Sequence, residues 1–228
     1  MSAETGVWAV LVAAGRGERF GGDRPKAFAK LRDRPLLAES LERLEASEWI
    51  DAIVVVVPEE WEEPAILLAE ELNAGKVNSA VAGGPTRADS VRSGVAEIPD
   101  DALIALVHDA ARPILPEEVI GRVLGGLGED WDGVAAGLPL ADTVKRVDQH
   151  GRVAETVDRT GLFAIQTPQA FPIATLRDAL LRGGEASDCA GLVEAAGGWV
   201  RVVEGDLRLV KITTASDLAF VETLLANE

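Results

Sequence analysis

Short apolar runs alternate along the chain with longer segments in which apolar residues recur every three or four positions. Apolar runs rich in β-branched residues are typical of strands buried on both faces, and the recurring spacing is typical of amphipathic helices. The runs predict strands at residues 7–13, 52–57, 77–82, 103–107, 133–138, 199–204 and 209–213. The recurring spacing predicts helices at residues 35–46, 60–72, 86–98, 116–127, 175–181, 185–196 and 216–226. This alternation predicts an α/β fold with a doubly wound, mostly parallel sheet.

The alternation is interrupted at residues 141–159, where two polar, alternating segments flank Asp-Gln-His-Gly at 148–151. This pattern predicts an exposed β-hairpin. A hairpin is only marginally stable by itself in water, so we expect this arm to pack on a second subunit. No internal repeat, low-complexity tract or linker divides the rest of the chain. We therefore expect a single domain at residues 1–228, with residues 141–159 as a dimerisation arm.

Composition narrows the class of protein. The 228 residues are 47% hydrophobic, enough for one sizeable core, and no apolar run reaches the length of a membrane span. A formal net charge of −16 argues against non-specific nucleic-acid binding, which requires basic patches. The single cysteine, Cys189, excludes an intrachain disulfide and is expected to be a partly buried apolar filler. With an N-terminus that lacks the features of a signal peptide, these facts favour a cytoplasmic protein.

The segment 7–26 is a predicted strand that opens into a glycine-rich basic loop. Residues 15–34 contain seven Lys or Arg and three acids, a local charge of +4 in an acidic chain. Glycines let backbone N–H groups approach an anion closely, so the loop predicts a phosphate site, although a solvated basic loop has the same composition. The loop lacks the P-loop pattern, and Phe20 and Pro25 break the dinucleotide-binding pattern.

Other candidate residues follow predicted strands. Asp109, at the end of one strand, suits a Mg²⁺ ligand beside phosphates, or a residue that caps the turn before Pro113. His108 is expected to make a structural hydrogen bond. Glycines and polar residues at 83–90 could bind a base or an anion at a helix N-terminus, but Thr86 could equally be an N-cap. Lys211, within an apolar run, either snorkels to solvent or meets a ligand.

Taken together, six motifs resemble the 2-C-methyl-D-erythritol 4-phosphate cytidylyltransferase family and lie in family order over nearly the whole chain. They are the Ala-Ala-Gly-x-Gly-x-Arg at 13–19 followed by Pro-Lys at 25–26, Arg-Ala-Asp-Ser-Val at 87–91, Val-His-Asp-Ala-Ala-Arg-Pro at 107–113, Thr-Val-Asp-Arg at 156–159, Thr-Pro-Gln at 167–169 and Lys-Ile-Thr at 211–213. The resemblance implies a Rossmann-like fold of the nucleotide-diphospho-sugar transferase type and a homodimer with crossed arms. It also implies CTP and methylerythritol 4-phosphate as substrates and Mg²⁺ as cofactor.

The resemblance also implies roles for individual residues. Catalysis falls to Arg19, Lys26, Arg159 and Lys211. Contacts to the nucleotide come from Ala13, Ala14, Gly15, Gly17, Gly84, Ser90, Asp109 and Ala110, and Asp109 holds the metal. The second substrate is bound by Thr143, Arg159, Thr167 and Lys211.

The chain departs from the family pattern at Val12, Pro85, Leu209 and Cys189, and Pro85 bears on base recognition because it has no N–H.

Three alternatives stay open. One is a ribitol 5-phosphate cytidylyltransferase. Two features argue against it: the Ala-Ala-Arg-Pro sequence after Asp109, and the spacing between the Thr-Val-Asp-Arg motif at 156–159 and the Thr-Pro-Gln motif at 167–169. Another is a nucleotidyltransferase for a different sugar phosphate. The third is an inactive nucleotide-binding scaffold, which the retained cations and Asp109 disfavour.

Overall fold

The computed structural model describes residues 6–15, 24–184 and 186–227. Seven strands form the main sheet: β1 (Val7–Val12), β4 (Ala52–Val57), β5 (Val77–Ala82), β6 (Ile104–Asp109), β7 (Gly133–Pro139), β10 (Phe163–Pro172) and β11 (Val200–Glu204). Their order is β11-β7-β10-β6-β1-β4-β5. β10 is antiparallel to both of its neighbours and every other pairing is parallel. The predicted α/β fold with a mostly parallel sheet is confirmed.

Helices cover both faces of this sheet. They are α1 (Leu36–Ala46), α2 (Glu62–Glu71), α3 (Arg87–Ala96), α4 (Glu117–Gly125), α5 (Ile173–Arg182), α6 (Cys189–Ala195) and α7 (Ala215–Leu225), with a short 3₁₀ helix at Lys26–Phe28. Ala9 and Leu11 pack on one face with residues of α1 and α4, whereas Trp8 and Val10 pack on the other with residues of α3, α5 and α6. Because successive strand side chains alternate between faces, an all-apolar strand such as β1 joins two cores at once.

The arm is a β-hairpin of β8 (Val144–Val147) and β9 (Val153–Val157), paired antiparallel and separate from the main sheet. A second small sheet joins β2 (Lys30–Leu31) to β3 (Arg34–Pro35). The predicted hairpin is thus confirmed, and its packing on a second subunit stays a prediction. Within the described ranges, the helices are all too short or too polar to cross a membrane.

One predicted strand is wrong, and one strand of the main sheet was missed. Residues 209–213, predicted as a strand, join no sheet; Leu209 and Ile212 are buried, and the segment is attached by the hydrogen bond from Ile212 N to Ala111 O, 2.8 Å. The long strand β10, which carries Thr167, was not predicted. Its polar centre, Gln-Thr-Pro-Gln, breaks the apolar pattern, and the register with β7 shifts between Ile165 and Gln169. Proline is tolerated in a sheet at such irregular positions.

The helix predicted at 185–196 is shorter than expected. α6 begins at Cys189 because Asp188 is its N-cap and accepts a hydrogen bond from Gly191 N at 2.9 Å. The other predicted helices are present, with ends that differ by up to two residues.

Candidate active site

A cavity of about 970 Å³ lies at the carboxyl ends of β1, β5 and β6. The chain runs from β1 to β4 on one side and later returns to β6 on the other, so this end of the sheet is a topological switch point. Ligands of open α/β sheets bind at such crevices. We call this space the nucleotide cavity. Its lining includes the predicted residues Ala13, Ala14, Gly15, Lys26, Gly84, Ser90, Asp109, Ala110 and Lys211.

The glycines after β5 let the backbone approach neighbouring side chains closely at the wall of this cavity. A Cβ atom on Gly83 would lie 2.3 Å from the Ala14 side chain, and one on Gly84 would lie 2.4 Å from that of Asp89. Thr86 is the N-cap of α3, as one of the two interpretations predicted, and its Oγ1 accepts from Asp89 N at 3.0 Å. Ser90 Oγ donates to Thr86 O at 3.0 Å. Glycine is therefore required where the loop turns past α3 into the cavity wall.

Asp109 lies at the end of β6 between two cations. Arg87 donates from Nε and Nη2 to Oδ1 at 3.1 and 2.9 Å, and Lys211 Nζ donates to Oδ2 at 2.7 Å. Burial alone would raise the pKa of the Asp109 carboxyl, but the charges of Arg87 and Lys211 outweigh it and hold the pKa well below its ordinary value. Asp109 is therefore a carboxylate at any physiological pH. It does not serve as the turn cap that the sequence left open as an alternative.

His108 is fully buried and has a structural role, as expected. Its Nε2 lies 3.0 Å from the carbonyl oxygen of Arg112, and its Nδ1 lies 3.2 Å from Thr167 Oγ1, which itself accepts from Asp109 N at 3.1 Å. A carbonyl oxygen only accepts, so Nε2 carries the proton and Nδ1 accepts from the Thr167 hydroxyl. Burial lowers the pKa of His108 to about 4. The neutral ring thus ties Thr167 of β10 to the strand that carries Asp109.

Lys26 reaches the nucleotide cavity from the 3₁₀ helix after the first loop. Its Nζ donates to the carbonyl oxygen of Ile212 at 2.7 Å. The loop that carries Lys211 is therefore attached on one side to Lys26 and on the other to Ala111. Two lysines distant in sequence consequently line the same cavity.

A second cavity of about 520 Å³ lies beside the first, and Arg87, Asp109 and Lys211 line both. Thr167 lines this second cavity, as do Arg112, Gln169 and Asp188. The predicted second-substrate residues Thr167 and Lys211 are therefore together. Asp109 and its two cations therefore form the partition between the two spaces.

The remaining predicted residues are not at these cavities or lie outside the described residues. Thr143 and Arg159 lie at the two ends of the arm segment 141–159, are exposed and line neither cavity. Arg159 Nη1 donates to Leu140 O at 3.3 Å. Arg19 and Gly17 lie outside the described residues. Sequence reasoning quoted Arg87 only as part of a motif and missed its pairing with Asp109. No local pattern indicates this pairing, because the two residues are 22 positions apart in sequence.

The described residues offer a limited donor set for a metal. In the part of the chain that the structure describes, no three His, Cys, Asp or Glu side chains form a metal-binding group. Mg²⁺ is commonly held by one or two carboxylates together with substrate phosphates. Asp109 supplies one ionised carboxylate at the wall of the nucleotide cavity, so the residues fit a Mg²⁺ ion that arrives with a nucleotide.

The doubly wound sheet and the cation-lined cavity at its switch point define a nucleotide-binding α/β protein. Two cavities that meet at one carboxylate suit a nucleotidyltransferase, which must bring two phosphates together. The chain belongs to the IspD, 2-C-methyl-D-erythritol 4-phosphate cytidylyltransferase family, whose model matches residues 7–227.

Individual relatives agree with the family match. The chain is 45% identical over 219 residues to the 2-C-methyl-D-erythritol 4-phosphate cytidylyltransferase of Nocardia farcinica, covering 96% of this chain and 94% of the relative. It resembles the crystal structure of the same enzyme from Thermus thermophilus, with a TM-score of 0.78 at 30% identity over 98% and 99% of the two chains. The 4-diphosphocytidyl-2C-methyl-D-erythritol synthase structure from Anaerococcus prevotii gives a TM-score of 0.82 at 26% identity, with 97% and 99% covered.

The resemblance found in the sequence motifs is thereby confirmed. The chain is a nucleotidyltransferase of this family, which acts in isoprenoid biosynthesis by the non-mevalonate route. CTP and methylerythritol 4-phosphate are the substrates that membership implies.

Proposed function

We propose that the nucleotide cavity binds CTP and that the second cavity receives the phosphate of 2-C-methyl-D-erythritol 4-phosphate. The products are 4-diphosphocytidyl-2-C-methyl-D-erythritol and pyrophosphate. The observation that carries this assignment is the position of Asp109 and Lys211, which line both cavities. Groups at the partition can contact the nucleotide and the second substrate at the same time.

The reaction needs positioning and charge stabilisation more than proton transfer. An oxygen of the sugar phosphate attacks the α-phosphorus of CTP, a P–O bond forms there, and the bond to the β-phosphate breaks as pyrophosphate leaves. A phosphate monoester is already anionic near neutral pH, so no general base has to act first. The barrier lies in bringing two repelling phosphates into line and in the charge on the leaving group. Cations at the cavity walls lower both contributions.

The residues predicted to act on the nucleotide have distinct roles in this proposal. Lys26, together with Arg19 from the first loop, stabilises charge on the reacting phosphates. Asp109 would hold Mg²⁺, which supplies Lewis-acid stabilisation of the phosphate oxygens when bound. Contacts to the base, ribose and phosphates come from Ala13, Ala14, Gly15, Gly17, Gly84, Ser90 and Ala110.

A second subunit completes the second cavity in this proposal. Thr143 and Arg159 belong to the arm and are exposed in the single chain. Val147 and Val153 of the hairpin are each 53% exposed, and apolar side chains on a protruding arm favour burial against another chain. We therefore infer a homodimer in which each arm brings Arg159 and Thr143 to the other subunit's Lys211 and Thr167. The same proposal places the reaction in the cytoplasm, consistent with one unpaired, buried cysteine.

A pyrophosphate-release assay tests the proposal. Wild-type protein with CTP and Mg²⁺ is given methylerythritol 4-phosphate or ribitol 5-phosphate, and ATP replaces CTP in a parallel series. We expect turnover with CTP and methylerythritol 4-phosphate that exceeds each alternative by at least about tenfold in kcat/KM. Preference for ribitol 5-phosphate, or no turnover with either acceptor, contradicts the proposal.

A further inference from the structure

The guanidinium of Arg87 is held at three of its nitrogen atoms. Arg87 is the first residue of α3, directly after the N-cap Thr86, and it crosses from there to the end of β6. Nε and Nη2 donate to Oδ1 of Asp109 at 3.1 and 2.9 Å, and Nη1 donates to Sγ of Cys189 at 3.4 Å. The side chain is 25% exposed. Such a planar group with several fixed contacts has one orientation.

The two oxygens of Asp109 are held in different ways. Both Arg87 N–H groups point at Oδ1, so this oxygen is engaged by a rigid and mostly buried partner. Oδ2 is bound by Lys211, whose side chain is 42% exposed and stands on a loop that joins no sheet. A lysine is a flexible point charge that can leave one anion for another. Oδ2 is therefore the oxygen that can exchange its partner while Oδ1 stays fixed.

Cys189 accepts a hydrogen bond from Arg87 Nη1. The thiol is fully buried, and burial raises its pKa above the ordinary value, so it is neutral at physiological pH. A neutral sulfur contacts the guanidinium from the side of α6 and forms no ion pair with it, so Asp109 remains the ionic partner of Arg87. The ion pair of Arg87 and Asp109 thus links α3 to β6. The N-terminal end of α3 forms part of the wall of the nucleotide cavity.

We propose that Arg87 is a positioning residue that fixes the Asp109 carboxylate with Oδ2 facing the nucleotide cavity. In this orientation Oδ2 can exchange Lys211 for a Mg²⁺ ion brought by the nucleotide. The inference rests on the proposed function, in which Asp109 holds the metal. Arg87 acts through Asp109 and needs no contact with either substrate for this role. The role depends on the fixed orientation of the Arg87 guanidinium, because any cation at this position would supply the same charge.

The substitution Arg87→Lys separates geometry from charge, because lysine keeps the charge but has one point donor. We expect kcat to fall about tenfold or more, while KM for CTP in Mg²⁺ rises by no more than the loss of Mg²⁺-dependent CTP affinity. Calorimetry gives a second readout: Mg²⁺ raises the affinity of wild-type protein for CTP, and this gain shrinks about threefold or more in Arg87→Lys, whereas CTP affinity in EDTA is unchanged.

A control on the same helix is Arg92→Lys, because Arg92 pairs with Asp89 and Leu180 O away from Asp109. This variant is expected to match wild type in kcat and in the gain from Mg²⁺. Arg87→Gln, which keeps two N–H donors but no charge, is the second test, with folding checked by its melting temperature. It should retain more of the gain from Mg²⁺ than Arg87→Lys does.

Unchanged kcat and an unchanged gain from Mg²⁺ in Arg87→Lys would overturn the inference. So would a loss of CTP affinity in EDTA as large as the loss in Mg²⁺, which would show that Arg87 acts on CTP independently of the metal. The proposed function is tested by a different measurement. Wild-type protein that releases no pyrophosphate from CTP overturns the proposed function, and this inference with it.

Discussion

Lys211 Nζ lies 2.7 Å from Oδ2 of Asp109, at the point where the two cavities meet. The carboxylate stands on a rigid central strand, whereas the lysine stands on a loop attached by Ile212 to Ala111 O and to Lys26. An ion pair between a rigid and a flexible partner can open when a phosphate competes for the lysine. The two predicted substrate sites are thus joined by one exchangeable contact.

Lys26→Ala is expected to remove turnover and to leave the fold intact. The variant loses the hydrogen bond to Ile212 O, which costs about 1 kcal/mol of stability, whereas the loss of a cation at the reacting phosphates lowers kcat by about 100-fold or more. Steady-state kinetics and thermal unfolding measure the two effects. Lys30→Ala is the control, because Lys30 is exposed on the same segment. If Lys26→Ala keeps kcat near that of wild type, Lys26 has no place in the mechanism.

His108 makes stability depend on pH. Its pKa is about 4 in the folded protein, lowered by burial from 6.5, so below pH 6.5 the unfolded chain binds more protons than the native one. The free energy of unfolding therefore decreases as pH falls from 6.5 to 4, by about 2 to 3 kcal/mol from this group. Denaturant unfolding at several pH values measures the slope. His108→Gln should reduce the dependence of the free energy of unfolding on pH. His150→Gln, on the exposed hairpin turn, should leave this dependence unchanged. Equal slopes in wild type and His108→Gln would contradict this assignment.

The sheet and helices were largely predictable, because strands such as β1 and β4 are buried on both faces and carry no polar residue. β10 escaped prediction because its polar residues are buried by partners remote in sequence. Thr167 bonds to the end of β6, and Gln169 donates to Asp188 Oδ2 at 2.8 Å. No local pattern reveals such pairings, since they exist only once the strands are adjacent.

The site was predictable in its residue types and not in its pairings. Asp109 and Lys211 were both identified, yet their ion pair spans 102 positions of sequence. Arg87 was seen in a motif without its role, because nothing near it in sequence indicates Asp109 as its partner. Lys211 was assigned to a strand because Leu209, Val210 and Ile212 are apolar. Leu209 and Ile212 are instead part of a loop, and their side chains are buried in the core.

The crossed arm predicts complementation between two defective variants. Lys26→Ala and Arg159→Ala are co-expressed and assayed at low methylerythritol 4-phosphate, where Arg159→Ala alone is expected to be weak because its KM for this substrate is raised. If each arm serves the other subunit, one site of every mixed dimer is intact, and random pairing restores about a quarter of wild-type activity. Purified single variants, mixed without subunit exchange, are the control. An arm that serves its own subunit leaves both sites of the mixed dimer damaged, so no recovery would contradict the crossed-arm proposal.

The most direct test of the account is the kinetic effect of Lys211→Ala with CTP and methylerythritol 4-phosphate. Lys211 lines both cavities, but its proposed partner in turnover is the phosphate of the second substrate. We predict that KM for methylerythritol 4-phosphate rises about tenfold or more, while the Kd for CTP measured by calorimetry stays within about threefold of wild type. A variant that loses CTP affinity and keeps its KM for methylerythritol 4-phosphate would contradict the assignment of the two cavities.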